Sequence, residues 1–185
     1  MECGCGVGNF IFPLLEQHKL VRAYACDFSQ RAVDFVKERG KELNDRLTAF
    51  QADLTSDDLT VNVNEKCDLI TMIFVLSAIH PEKFTQTIKL LVDLLKPGGK
   101  LLFRDYAIND HAMVRFKPGA KISDRMYMRH DGTRSYFFKR EELEELAIRN
   151  GLSVESCGYC ERTTINKKEG IEVTRWFLQA TFVKV

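Results

Sequence analysis

Three alternating glycines at the start of the chain, in Glu2-Cys3-Gly4-Cys5-Gly6-Val7-Gly8-Asn9, constrain the fold more than any other feature. Glycines in such a turn let the backbone pass sharply from a strand into a helix and come close to a ligand. Two acids follow at the ends of strand-like runs. Asp27 closes residues 21–26, and Asp53 closes residues 47–52. A glycine loop with two strand-end carboxylates is how an α/β sheet holds a nucleoside. Glycine-rich turns are common, so it is the combination that carries the signal.

The rest of the chain keeps the same rhythm. Residues 10–16 read as a helix with Pro13 in its first turn. Ser29 can cap a helix running to about residue 39, with Ala32, Val33, Phe35 and Val36 as its apolar face. Residues 68–76 form an almost continuous apolar run, as in a strand buried on both faces of a parallel sheet. Apolar positions 84, 88, 91, 92 and 95 have a helical period, which Lys96-Pro97-Gly98-Gly99 ends before a strand begins at residues 100–104. A helix over 141–150 closes at Gly151, and 152–156 and 176–183 read as two final strands. Repeated β-α order predicts one α/β domain over 1–185, a mostly parallel sheet with helices on both faces. The first strand is short, since only Met1 to Cys3 precede the turn, and residues 106–135 show no clear period. A loop that long in a compact domain is usually functional, which suggests a substrate-side insertion.

With 27 basic and 26 acidic residues, the net charge of +1 excludes a global polyanion binder. Any nucleic-acid affinity must come from a local patch. No apolar run is long enough to span a membrane, and no secretion signal follows Met1. The six cysteines read as reduced thiols of an intracellular protein. Cys157-Gly158-Tyr159-Cys160 has the spacing of half a zinc site, but no second pair accompanies it, so no metal is expected. The glycine loop lacks the Lys-Ser/Thr of a phosphate-binding loop and departs from dinucleotide spacing. That favours a nucleoside without phosphate over a triphosphate or dinucleotide. Asp27 is placed to accept from ribose hydroxyls, and capping the helix at Ser29 is its alternative role. Asp53 could accept from an exocyclic amine such as adenine's, or cap the turn at residues 57–59.

The pattern Glu-x-Gly-x-Gly-x-Gly, then Asp27, Asp53-Leu54, an apolar fourth strand and Leu-Lys-Pro-Gly-Gly resembles a Rossmann-like class I S-adenosylmethionine-dependent methyltransferase. More specific strings are Tyr24-Ala25-Cys26-Asp27-Phe28-Ser29, Ile73-Phe74-Val75-Leu76-Ser77-Ala78-Ile79, Leu102-Phe103-Arg104-Asp105-Tyr106 and Asp131-Gly132-Thr133-Arg134-Ser135-Tyr136-Phe137-Phe138, with Asn166-Lys167-Lys168-Glu169-Gly170 in support. These are similar to the methyltransferases that make 3-methylcytidine in the anticodon loop of tRNA. The resemblance implies that Gly4 and Gly6 contact the methionine end of S-adenosylmethionine, Asp27 holds its ribose, Asp53 and Leu54 its adenine, and Ile73 packs nearby. It implies tRNA as substrate, an aminoacyl-tRNA synthetase as a candidate partner, a monomer with its last strand antiparallel, and a cytoplasmic or nuclear location. Members of that family carry an N-terminal extension and a full first strand. Without either, weak RNA affinity and weak activity are expected of this chain.

Residues 104–140 hold nine Lys or Arg against four Asp, a surplus of +5, interleaved with Tyr106, Phe116, Tyr127 and Tyr136. Cations suit phosphates and flat rings suit splayed bases, so this stretch is the candidate RNA surface. Its candidate contacts are Arg104, Asp105, Tyr106, Asp110, Arg125, Arg129 and Arg134. A solvated loop with its aromatics in the core is the alternative. Cytosine N3 carries a lone pair and loses no proton on methylation, so no general base is required. Asp105 or Asp110 could stabilise the cationic product, with nothing in the sequence to choose between them. His80 and His111 read as structural. Two other readings remain open: a small-molecule methyltransferase of the same fold, and a shortened, inactive chain that binds a partner.

Overall fold

The computed structural model describes residues 1–166 and 170–185. In chain order it contains β1 (Glu2–Cys3), α1 (Ile11–Gln17), β2 (Ala23–Asp27), α2 (Gln30–Arg39), β3 (Leu47–Gln51), β4 (Cys67–Ile73), α3 (Phe84–Leu94) and β5 (Leu95–Tyr106). There follow α4 (His111–Arg115), β6 (Lys121–Ser123), β7 (Met126–Met128), β8 (Arg134–Tyr136), α5 (Arg140–Arg149), β9 (Leu152–Asn166) and β10 (Ile171–Lys184). Seven strands form one sheet in the order β3-β2-β1-β4-β5-β10-β9. Pairing is parallel from β3 through β5, and β10 runs antiparallel to both β5 and β9. The expected α/β architecture is therefore present.

The chain reverses its direction of travel across the sheet at β1. Strands β2 and β3 lie on one side of it, and β4 and β5 on the other. That switch point opens a crevice beyond the carboxyl ends of the strands. Strand alternation builds two apolar layers. Ala23 and Ala25 of β2 pack with Ile11, Phe12 and Leu15 of α1 and Val36 of α2. Cys26, one residue on, faces the layer built with Ile88 and Leu91 of α3 and Leu143 of α5. Ser29 caps α2, its hydroxyl accepting from the Ala32 amide at 3.3 Å. Phe35 departs from the expected apolar face and is 51% exposed, because Val33 and Val36 already fill the inner side of the helix.

Two regions differ from the sequence-based reading. Residues 106–135 are not an irregular loop. They hold α4 and two strands of a small antiparallel sheet, β6-β7-β8. Its strands are only three residues each, too short for a period to show. The last two strands are also far longer than 152–156 and 176–183. They pair continuously beyond the end of β5, which meets β10 only between Val183 and Phe177. Exposed polar residues such as Thr163 and Thr164 fill that outer ribbon, so no apolar alternation marked it. Lys167, Lys168 and Glu169 of the supporting string lie outside the described residues. No described helix is long and apolar enough to cross a membrane.

Candidate active site

A cleft of about 700 Å³ opens at the switch point. Gly4, Cys26, Asp27, Phe28, Asp53, Leu54 and Thr55 line it from the β1, β2 and β3 side. Phe74, Val75, Ala78, Ile79, His80 and Lys83 line it from beyond β4, and Thr133 and Arg134 reach it from the small sheet. Its volume falls in the usual range for a small-molecule site.

The loop and the first acid form one unit. The Gly6 amide donates to Asp27 Oδ2 at 2.8 Å, and the Ser29 amide donates to Oδ1 at 2.9 Å. Each carboxylate oxygen keeps a further lone pair for a ligand hydroxyl. Asp27 thus orders the approach to α2 and also lines the cleft. Gly4 has φ +65°, and a Cβ there would sit 2.3 Å from Cγ2 of Val75. Only glycine lets the loop pass so close to the chain after β4. Gly6, at φ +51°, shapes the loop through its bond to Asp27 and is not in the cleft wall.

Asp53 Oδ1 accepts from the Thr55 amide at 2.8 Å and hydroxyl at 2.7 Å. The Thr55 hydroxyl, with its amide in support, holds the Asp53 carboxyl below the usual range, so the group is a carboxylate. The following turn is capped by Asp58, whose Oδ1 accepts from the Thr60 amide at 2.9 Å, while Asp57 Oδ2 accepts from the Asp53 amide at 2.7 Å. Leu54 is buried and lines the cleft beside it. Ile73 is the last residue of β4 and is not in the lining, whereas Phe74 and Val75 are.

The residues considered for substrate contact separate sharply. Asp105 is 0% exposed, and its oxygens accept from the Ser77 and Tyr106 amides at 2.9 Å each. Burial pushes its carboxyl up to about 6, opposed by those bonds. Asp110 is also 0% exposed. It caps α4 through the Ala112 amide and pairs with Arg175, Nε to Oδ1 at 2.8 Å and Nη2 to Oδ2 at 2.9 Å. Asp110 therefore ties the outer ribbon to α4. Arg125 grips the Glu142 carboxylate, with Nη2 to Oε1 at 3.2 Å, and also reaches Asp124 and the Phe137 carbonyl. Arg129 donates to the Ser135 hydroxyl and lies 4.9 Å over the Tyr106 ring. Arg104 bonds Gln179 at 2.6 Å and covers Phe177. Tyr106 is half-buried among these cations. Arg134 alone of the set lines the cleft, and it is exposed. Charge pairing between residues far apart in the chain, as in Asp110 with Arg175, leaves no local trace in a sequence.

His80 stands on the cleft rim, its Nδ1 facing the Glu82 amide at 3.4 Å. Cys157 and Cys160 are three residues apart on β9, which turns their sulfurs to opposite faces. The Phe74 ring was missed by the sequence reading, although it follows β4 directly, as Asp27 ends β2.

Residues 1–101 match the model of a family described as a methyltransferase domain. The chain is 51% identical over 185 residues to the Rattus norvegicus protein named tRNA N(3)-cytidine methyltransferase METTL6, covering all of this chain and 64% of the relative. The Homo sapiens METTL6 is 48% identical, with 65% of its length covered. The Schizosaccharomyces pombe tRNA N(3)-methylcytidine methyltransferase trm141 is 40% identical over 189 residues, all of this chain and 76% of the relative. The chain thus spans less than two thirds of the METTL6 relatives. Among solved structures, a SAM-dependent methyltransferase from Methanosarcina mazei superposes with a TM-score of 0.75 at 15% identity, over 100% of this chain and 91% of that one. Magnesium protoporphyrin IX methyltransferase from Synechocystis, solved with bound SAH, gives 0.69 at 20% identity, over 100% and 73%. These two likenesses establish the fold. With the methyltransferase-domain match over more than half its length and the fission-yeast relative largely covered, the chain belongs to the tRNA N(3)-methylcytidine methyltransferase family.

Proposed function

We propose that the cleft binds S-adenosylmethionine and that the protein transfers its methyl group to N3 of a cytidine in the anticodon loop of tRNA. The observation that carries this reading is one glycine turn that passes Gly4 against Val75 and bonds Asp27 through the Gly6 amide, with Gly4 and Asp27 together in the cleft wall. The residues fit the cofactor's chemistry. Asp27 offers lone pairs to two hydroxyls, Asp53 and Leu54 offer a carboxylate beside an apolar wall, and the Cβ-free Gly4 leaves its backbone accessible. When bound, S-adenosylmethionine supplies a methyl on a sulfonium, which departs as a thioether once the N3 lone pair of cytosine has displaced it in line.

The protein's part is placement. No proton leaves N3, and neither Asp105 nor Asp110 reaches the cleft, so catalysis needs no base from this chain. Exposed Arg115, Lys117, Lys121 and Arg134 supply cations around the small sheet, suited to phosphates flanking the target base. Lys83 and Arg134 share the cleft lining with Glu82, so it is the exposed cations of the small sheet that favour a polyanion over a small apolar metabolite. An aminoacyl-tRNA synthetase as partner, and a monomeric state otherwise, form part of the proposal. Transfer of labelled methyl from S-adenosylmethionine to tRNA, with and without a synthetase, tests it. Label in a metabolite extract and none in tRNA would overturn it.

A further inference from the structure

Phe74 is the residue immediately after β4, and it adopts φ +59°. The left-handed region is strained for an aromatic side chain, and such strain persists only where surrounding structure enforces it. Here the Phe74 amide donates to the Arg104 carbonyl at 2.8 Å, fixing the turn. The result is a ring held at the mouth of the cleft, 40% exposed. Behind it stand Tyr106, at 5.0 Å between centroids, and Phe177, at 5.4 Å. Arg129 and Arg175 lie over the Tyr106 ring in turn, at 4.9 and 5.8 Å. This rigid cluster closes the back of Phe74 and leaves its outer face to solvent.

The position of the ring in the sheet separates it from the nucleoside-holding groups. Asp27 ends β2 and Asp53 follows β3, both on one side of β1. Phe74 follows β4 on the other side, backed by β5 and β10. A cofactor with its ribose at Asp27 would occupy the first side and the switch point. The aromatic face is left for the second reactant.

We infer that the exposed face of Phe74 is the stacking platform for the extruded pyrimidine base that receives the methyl group. This rests on the RNA methyltransferase reading and adds to it the residue that orients the base. A planar base has a π-face that stacks on an aromatic ring, an interaction whose loss weakens binding by roughly 5- to 150-fold. Stacking on a ring fixed by a strained turn sets the plane of the base, and with it the direction of its N3 lone pair.

Three variants separate stacking from strain. Phe74→Gly removes the ring and relieves the positive φ. Phe74→Leu keeps apolar bulk without an aromatic face. Phe74→Tyr restores a ring. An anticodon stem-loop carrying fluorescent pyrrolocytidine at the target position reports stacking directly, with S-adenosylhomocysteine filling the cofactor side. We expect quenching by the wild-type protein and by Phe74→Tyr, and its loss in Phe74→Gly and Phe74→Leu. Methylation kcat/KM on tRNA should fall about 5- to 150-fold in the Gly and Leu variants and recover in Phe74→Tyr. Affinity for S-adenosylhomocysteine should stay within about threefold in all of them, since stacking energy is confined to the base. Unchanged quenching and turnover in Phe74→Leu would overturn the stacking role alone. A wild-type protein that neither quenches the label nor methylates tRNA would overturn the RNA reading and the platform with it.

Discussion

The Gly6 amide donates a 2.8 Å hydrogen bond to Oδ2 of Asp27, joining the turn after β1 to the end of β2. One carboxylate thereby sets the shape of the loop and faces the cleft. Its removal should be felt twice, once in the ligand and once in the loop.

Asp27→Ala should weaken binding of S-adenosylhomocysteine by about 1.5–3 kcal/mol, roughly ten- to a hundredfold, because a charge-assisted acceptor for two hydroxyls is lost. Asp27→Asn keeps one acceptor oxygen and should fall between the two. Isothermal titration calorimetry reads both variants. An affinity equal to wild type in Asp27→Ala removes the ribose assignment.

Glu2 is 6% exposed, and its Oε2 has no partner among the described residues. Burial pushes its carboxyl up to about 7 from an ordinary value of 4.5. The folded protein therefore holds this proton where the unfolded chain has released it. Stability attributable to Glu2 is full below about pH 4.5 and is lost as pH rises towards 7. Glu2→Gln should abolish that loss, so its advantage over wild type should widen between pH 5 and pH 8. Urea unfolding at the two pH values checks this. A constant difference would show that Glu2 does not titrate on folding.

The basic segment divides into structural and free cations. Arg125→Ala removes the cation paired with the half-buried Glu142, leaving it the Tyr136 hydroxyl, and should lower stability by on the order of 1–3 kcal/mol. Its effect on the salt dependence of RNA binding should be small. Arg134→Ala and Lys121→Ala should leave the melting temperature unchanged. Each should reduce the log–log salt slope by roughly 0.7–0.9 per phosphate that the wild-type side chain neutralises. Filter binding across a salt series separates the two classes. A flattened slope in Arg125→Ala with none in Arg134→Ala would reverse the assignment.

Much of this was legible in the sequence because local patterns carried it. The loop glycines, the acids closing β2 and β3, and the apolar run of β4 each report a periodicity or a turn within ten residues or so. The states of Asp105 and Asp110 were not legible. Both sit in a basic stretch and read as candidate substrate contacts, yet the chain folds them inward against Ser77 and Arg175, distant in sequence. Arg125 was misleading for the same reason, since Glu142 belongs to the next helix. The small sheet of residues 121–136 was hidden by the brevity of its strands. Phe74 was obscured by its setting at the end of an apolar run, where nothing local signals a left-handed turn that brings the ring to the surface.

Nucleoside mass spectrometry tests whether this cleft methylates cytidine N3 in tRNA. Total tRNA would be incubated with S-adenosylmethionine and either wild-type protein or Asp27→Ala, with and without an aminoacyl-tRNA synthetase. 3-Methylcytidine should be formed by the wild type and reduced about tenfold or more by the substitution. A wild-type protein that binds the cofactor and methylates a small metabolite, yet leaves every tRNA free of 3-methylcytidine, would contradict that activity.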